Sequence, residues 1–310
     1  MTKIRGSTLS ALCLAVLATT LFSIANISRA ATGSGSDEAI DAEIKQMAED
    51  FMAHRPMQGF AHDMSLAEAY QWQDRMAQYL DLGPVIGYKT GGHNPGPNFA
   101  TFPKGGIRGT MLAGMIFPSG TAVTLDQTRR GFLEADFAFR VGSDSINEAQ
   151  TDLEILAGLD AIIPFAEIPD PYFEEGTRSM NGTIASNMGS RMSFVGEPLM
   201  LSPTDEWIEK IRTFKFAVHD EHGTEIDAGS MAVWYEPLKV VRWLRDHLKE
   251  SGKRLEPGML LSLGNIGIIR QLHEGSPRGP AYTSNEFILS YYGLSDEPVT
   301  VTIKVDRSTE

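Results

Sequence analysis

The sequence predicts an α+β fold, in which a β-rich core of mixed sheet is preceded by a helical N-terminal unit. Three observations carry this. Apolar residues spaced three or four apart, the mark of an amphipathic helix, are concentrated near the N-terminus and in one later stretch. Short apolar or alternating runs bounded by Gly, Pro and Asn, the mark of strands, fill most of the rest. Strands and helices do not alternate regularly and no glycine-rich phosphate loop is present, which argues against a doubly wound sheet.

In chain order, Met1 to Ala30 has the makings of a Sec-type signal peptide: Lys3 and Arg5, an apolar run from Leu9 to Ile24, then the small residues Ser28 and Ala30. Cleavage is expected after Ala30, with a periplasmic or exported destination; an uncleaved anchor is the alternative. Thr19, Thr20 and Ser23 interrupt a run already short for a spanning helix, and no other stretch is long and apolar enough, so stable membrane insertion is not expected after cleavage. The single cysteine, Cys13, lies within that segment, so neither disulfides nor thiolate chemistry is expected in the mature chain. The full chain carries 27 basic and 40 acidic residues, a formal charge of −13; loss of Lys3, Arg5 and Arg29 would take it to −16. That excludes nucleic acid as a natural partner, and any anion site must supply its own local positive charge.

Residues 31–84 are expected to form the helical unit. Ile40, Ile44, Met47 and Phe51 mark a helix over 37–55 ended by Pro56, and Ser65 with Glu68 forms a capping box that opens a second helix to about Leu80. Val85 to Tyr88 is a short strand leading into Lys89. From Gly91 to Gly109 a long loop is expected, because its first sixteen residues hold five glycines and three prolines. Met111 to Val123 reads as strand, turn and strand about Pro118-Ser119-Gly120, and Thr151 with Glu154 caps a short helix to Ala157. Ala161 to Ile168 is a mostly apolar strand in which Pro164 suggests an edge or a bulge. A Gly- and Ser-rich passage leads to a strand at Met192 to Val195, and Phe214 to Ile226 reads as a hairpin about Glu221-His222-Gly223. Trp234 to Ser251 is expected to be the longest helix, followed by strands at Met259 to Ile269 and Val299 to Val305.

The stretch that bears chemistry is Phe132 to Val141. It alternates from Leu133, as a half-buried strand does, and so sets Glu134, Asp136 and Arg140 on one face. Two carboxylates so close repel unless a cation, a shared proton or exposure relieves them; half of a divalent-metal site is one such arrangement, an exposed strand face the other. His219 and His222 fall at the hairpin tip, where the exposed turn outweighs a metal pair.

Further motifs extend this reading: Gly87-Tyr88-Lys89-Thr90-Gly91, Glu134-Ala135-Asp136-Phe137-Ala138, Pro164-Phe165-Ala166-Glu167, Asn187 before Phe194-Val195-Gly196, and Leu255-Glu256-Pro257-Gly258. From about Ser65 onward they make the chain resemble the 2-keto-4-pentenoate hydratase branch of the fumarylacetoacetate hydrolase superfamily. The resemblance implies a fumarylacetoacetate hydrolase-like β-roll or sandwich, with residues 85–310 as catalytic domain. It implies Glu134, Asp136 and Glu167 as ligands of Mg²⁺ or Mn²⁺, an all-oxygen set suited to a hard ion, with Asp136 standing where the family has a longer Glu. It further implies that the ion stabilises the enolate of a small 2-oxo acid, that Lys89 holds the substrate carboxylate or relays a proton, that Asn187 contacts substrate, and that the chain forms a homo-oligomer. His93, just beyond Lys89, is a second candidate for proton transfer. Three positions depart from the family pattern: Ser186 and Gly189 replace an acid and a serine, and Leu263 replaces a threonine. The expected activity is therefore that of an exported hydro-lyase of this type, with a C–C hydrolase or decarboxylase of the same superfamily, or a periplasmic 2-oxo-acid binding protein without turnover, as alternatives.

Overall fold

The computed structural model describes residues 33–93, 102–274 and 281–308, so the signal-peptide segment and residues 94–101 of the expected 91–109 loop lie outside the described residues. The chain divides into two units, Met1–Glu43 and Ile44–Glu310, and everything described below about sheets and cavity belongs to the second. Its helices and strands begin with α1 (Gly33–Met52), which enters from the first unit, and α2 (Leu66–Leu80). Then come β1 (Val85–Gly91), β2 (Ile107–Leu112), β3 (Ile116–Pro118), β4 (Ala122–Thr124), β5 (Phe132–Val141), α3 (Asp152–Ala157) and β6 (Leu159–Ile168). The second half holds α4 (Met180–Ala185), β7 (Met192–Val195), β8 (Leu199–Met200), α5 (Asp205–Thr213), β9 (Lys215–Asp220) and β10 (Glu225–Ser230). Last are α6 (Pro237–Glu250), β11 (Leu260–Ser262), β12 (Arg270–Gln271), β13 (Glu286–Tyr292) and β14 (Val299–Asp306).

The strands make two mixed sheets, which bears out the α+β reading. One runs β2-β1-β11-β5-β6-β7-β3, with β12 pairing β5 and β8 pairing β6; the other runs β10-β9-β13-β14-β4. Between them Phe137, Phe139, Phe214, Phe287 and Leu289 are fully or almost fully buried in one core, and the Phe137 and Phe214 rings meet edge to face at 5.1 Å. A polar tie crosses the same interface, where the buried Tyr291 hydroxyl of β13 is shared between the carbonyls of Asp136 on β5 and Phe165 on β6.

Both capping boxes form as the sequence predicts, Ser65 with Glu68 and Thr151 with Glu154. Other elements differ from expectation for identifiable reasons. β5 is not half-exposed: it is central, and Asp136 is fully buried. Its polar alternation marks a site, not solvent. β6 is likewise interior despite Pro164. The Pro164 carbonyl accepts from Gly196 N at 2.9 Å, so its missing N–H falls on that same side, between the stretches paired to β8 (161–162) and β7 (165–168). The expected loop gives way to strand β2 from Ile107, every residue of which is buried, so no alternation betrays it. The helix expected from Trp234 begins at Pro237 in the first-turn position proline favours, Glu236 before it being extended, and its 14 residues are fewer than the 20 of α1. β11 is only three residues long, because the chain after Leu263 turns, with Gly264 at φ +99°, to close over Asp136.

Candidate active site

Register brings the predicted carboxylates together. β5 and β6 are antiparallel with Glu134 opposite Glu167, and directly opposed residues share a face; Asp136, two residues along β5, projects the same way. β1 lies beside β11 with Lys89 opposite Ser262, and Ser262 is opposite Ala138 of β5. Lys89 therefore reaches the carboxylates across two strands.

Its side chain is 3 % exposed and its ammonium sits among them. Lys89 Nζ donates to Glu167 Oε2 and lies 3.8 Å from Glu134 Oε2. Burial alone would depress the Lys89 pKa, but the charges of Glu167 and Glu134 outweigh it and the net direction is upward, so the ammonium stays protonated. Asp136 moves the other way from an ordinary carboxylate: burial, then the neighbouring Glu167 charge, raises its pKa well above the usual range. Both of its oxygens are nonetheless engaged, Oδ1 by Phe137 N at 2.6 Å and Oδ2 by the Ser262 hydroxyl and by Gly264 N at 3.1 Å. Glu167 is 1 % exposed, and its Oε1 has no hydrogen-bond partner among the described residues. Among the described residues no group of three His, Cys, Asp or Glu side chains is gathered closely enough to hold a metal ion.

Lys89 and Glu134 line the closed end of a cavity of about 130 Å³, together with Thr90, His93, Met188, Tyr235 and Leu263, while Asp136 and Glu167 are buried beside Lys89 and are not part of the lining. His93 packs against Trp243 at 5.0 Å and Tyr235 at 6.0 Å between ring centroids; burial pushes its pKa down to about 4, and its Nε2 has no partner among the described residues. Asn187 does not line the cavity. Its Oδ1 accepts from Thr110 N at 2.7 Å and its Nδ2 donates to Thr110 O at 2.8 Å, which ties β2 in place beside β1. Gly109 of β2 leaves the room that the Lys89 stem needs, since a Cβ there would lie 3.0 Å from Lys89 Cγ. His219 and His222 lie in or beside the β9–β10 turn, away from the cavity lining.

Three residues emerge that motif reading passed over. Tyr235 donates from its hydroxyl to Gly264 O at 2.6 Å and so braces the loop whose N–H binds Asp136. Ser262 holds Asp136 directly. Arg178 lies on the exposed side of the cavity. The extended residues before Pro237 and the buried strand β11 are local signals for the first two; nothing local marks Arg178.

No protein-family model matches the chain. It is 25% identical over 162 residues to 2-keto-4-pentenoate hydratase 1 of Dechloromonas aromatica (strain RCB), covering 51% of this chain and 59% of that protein; this chain thus spans less than two thirds of that relative. It is 24% identical over 208 residues to 4-oxalocrotonate decarboxylase of Pseudomonas sp. (strain CF600), covering 66% and 76%. The solved 4-oxalocrotonate decarboxylase from Pseudomonas putida G7, complexed with magnesium and adipate, superimposes with TM-score 0.70 at 19% identity over 87% of this chain and 98% of that one. The same enzyme complexed with calcium and acetate gives 0.69 at 18%. Its fold is that of this chain. In its motifs and related sequences the chain is similar to the 2-keto-4-pentenoate hydratase branch of the fumarylacetoacetate hydrolase superfamily, and it has the fold of the decarboxylase.

Proposed function

We propose that the chain is a divalent-metal-dependent lyase acting on a small 2-oxo or enol acid, exported as its N-terminal sequence suggests. The observation that carries this is the pairing of Glu134 and Glu167 with one buried lysine, Lys89, beside the buried Asp136, where Lys89 and Glu134 line a cavity. In chemistry, though not in the spacing seen here, the donor set fits a hard ion: it is all oxygen, it rests on two adjacent strands, and Glu167 Oε1 is buried with no hydrogen-bond partner among the described residues. Glu134, Asp136 and Glu167 would hold the ion, and when bound it supplies a Lewis acid beside the 2-oxo group. Support for Mg²⁺ comes from the magnesium complex of the decarboxylase relative.

The chain's own residues do the rest. Lys89, kept charged by its carboxylates, presents an ammonium to the substrate carboxylate. His93, kept neutral by burial, is in the state to accept a proton at Nε2. Tyr235 and Gly264 hold Asp136 in line through the loop that they form, and Met188 and Leu263 exclude water from the cavity walls. Hydration and decarboxylation share the enol stage, and relatives of both kinds match the chain.

Calorimetry of Mg²⁺ binding tests the site, and loss of dienol absorbance from 2-hydroxypentadienoate tests the reaction. Wild type is expected to bind the ion and Glu134→Ala to bind it at least tenfold more weakly. No Mg²⁺ affinity, or an unchanged affinity in the variant, rules the site out. Ion binding without turnover of this dienol or of 4-oxalocrotonate favours the binding-protein reading, for which the loss of polar groups at Gly189 and Leu263 is the supporting observation.

A further inference from the structure

One wall of the cavity is the segment that joins β11 to β12, of which Leu263, Gly264, Asn265 and Ile269 belong to the lining. Its first half is tied to the strand beside it. Leu263 N donates to Phe137 O at 3.3 Å and Ile266 N to Ala135 O at 2.8 Å, both acceptors on β5. Pairing with β5 resumes only at Arg270. Between these points Asn265 folds back on the turn, its Oδ1 accepting from Gly267 N at 3.1 Å and its Nδ2 donating to Gly267 O at 2.5 Å. Ile268 N then donates to Oδ2 of Asp227 at 2.6 Å. Asp227 lies on β10, at the edge of the other sheet. The wall is therefore pinned from a sheet that carries neither Lys89 nor any of the three carboxylates around it.

This contact needs a close approach. A Cβ on Gly267 would lie 2.5 Å from Asp227 Oδ2, 3.2 Å from Ala135 Cβ and 3.3 Å from Phe216 Cε2. Glycine thus lets the segment settle between the sheets, where the Ile268 N–H meets the carboxylate. Asp227 itself is 9 % exposed. Burial raises its pKa, and the Ile268 N–H and the Arg270 charge only partly oppose that, while Glu225 adds to it. A carboxyl whose folded-state pKa lies above its unfolded value favours the fold only below that unfolded value, so at neutral pH its charge weighs against folding. Stability therefore does not account for an acid at this position. The bond to the cavity wall does.

We infer that Asp227 is a positioning residue of the cavity: reaching across from the second sheet, it fixes the 264–269 wall through Ile268 N and so sets how closely that wall packs on a ligand. The ligand side of this rests on the function proposed above, and the test keeps the two apart. Amide exchange at Ile268 and Ile266 is followed on the full chain, and 2-oxohexanoate binding is measured by calorimetry in saturating Mg²⁺. In Asp227→Ala, exchange at Ile268 should be at least tenfold faster than in wild type, and at Ile266, which is bonded to β5, less than twofold faster. The same variant should bind 2-oxohexanoate at least fivefold more weakly. Asp227→Asn, whose amide oxygen can accept the same N–H, should restore both readings to within about threefold of wild type. Unchanged exchange at Ile268 or unchanged affinity in Asp227→Ala, equal acceleration at Ile266, or an Asn variant no better than Ala overturns the inference and leaves the proposed function standing. A wild type that binds no 2-oxohexanoate speaks against the proposed function, and the exchange at Ile268 then decides the inference alone.

Discussion

The two ends of the cavity are built differently. At the closed end every charged group is carried by a strand: Lys89 by β1, Glu134 and Asp136 by β5, Glu167 by β6, with Ser262 of β11 holding Asp136. At the rim Arg178 stands between elements, held by the first turn of a six-residue helix, and Met188 has a positive φ of 57°. Strands in register fix side chains to the precision that an ion cluster requires; short irregular segments can change without disturbing the sheet. The contrast is between charged groups fixed by the sheet and a cavity wall that can vary without it.

Removing the cation from the closed end should have the largest effect. Lys89→Met leaves Glu167 and Asp136 buried beside the half-buried Glu134 with no compensating charge. Breaking a buried ion cluster in this way costs about 3–5 kcal/mol. Urea unfolding of the variant in the presence of a chelator should show that loss, and added Mg²⁺ should restore more stability to the variant than to wild type. A loss below about 1 kcal/mol would mean that the closed end is not an ionic cluster.

Asn187 lies outside the cavity lining, next to Met188, and its substitution asks how far that segment supports the sheet. Its amide satisfies both backbone groups of Thr110, opposite Tyr88 in the β1–β2 ladder. Asn187→Ala strands a buried N–H and a buried C=O, for about 2–4 kcal/mol. Since Asn187 has φ 57°, Asn187→Gly should be about 1 kcal/mol less harmful than alanine, because glycine adopts that backbone freely. If a substrate contact were the main role, both variants would instead unfold like wild type in urea and fail only in ligand binding.

The closed end was largely legible in the sequence and the rim was not. Glu134 and Asp136 stand out because a strand with period two displays any polar residue on an apolar background, and Glu167 stands out in Ala161 to Ile168 for the same reason. What that pattern cannot convey is which medium the polar face meets. β5 read as half-exposed, whereas Asp136 is fully buried against Ser262 and Gly264. β2 escaped because all six residues are buried, Arg108 included, so neither period nor polarity flags a strand. β13 and α5 were not anticipated either, although α5 carries its own cap at Thr204. Arg178 and Tyr235 depend on a cavity that gathers segments more than fifty residues apart, for which no local pattern exists.

The smallest effect expected is a pH dependence arising from His93, which lies on the cavity wall between the two ends. Burial lowers its folded-state pKa to about 4, against about 6.5 in an unfolded chain. Between these values the unfolded state binds a proton that the folded state refuses, so the His93 contribution is fully present above pH 6.5 and is lost as pH falls toward 4. A difference of about 2.5 units corresponds to at most ~3 kcal/mol, and less in practice because the ring is only partly enclosed. His93→Asn cannot take up that proton, so its unfolding free energy should fall less between pH 7 and 4.5 than that of wild type. Parallel urea curves for the two proteins over that range would show instead that water reaches Nε2 freely, and the wall beside Trp243 and Tyr235 would then be open where the aromatic packing closes it.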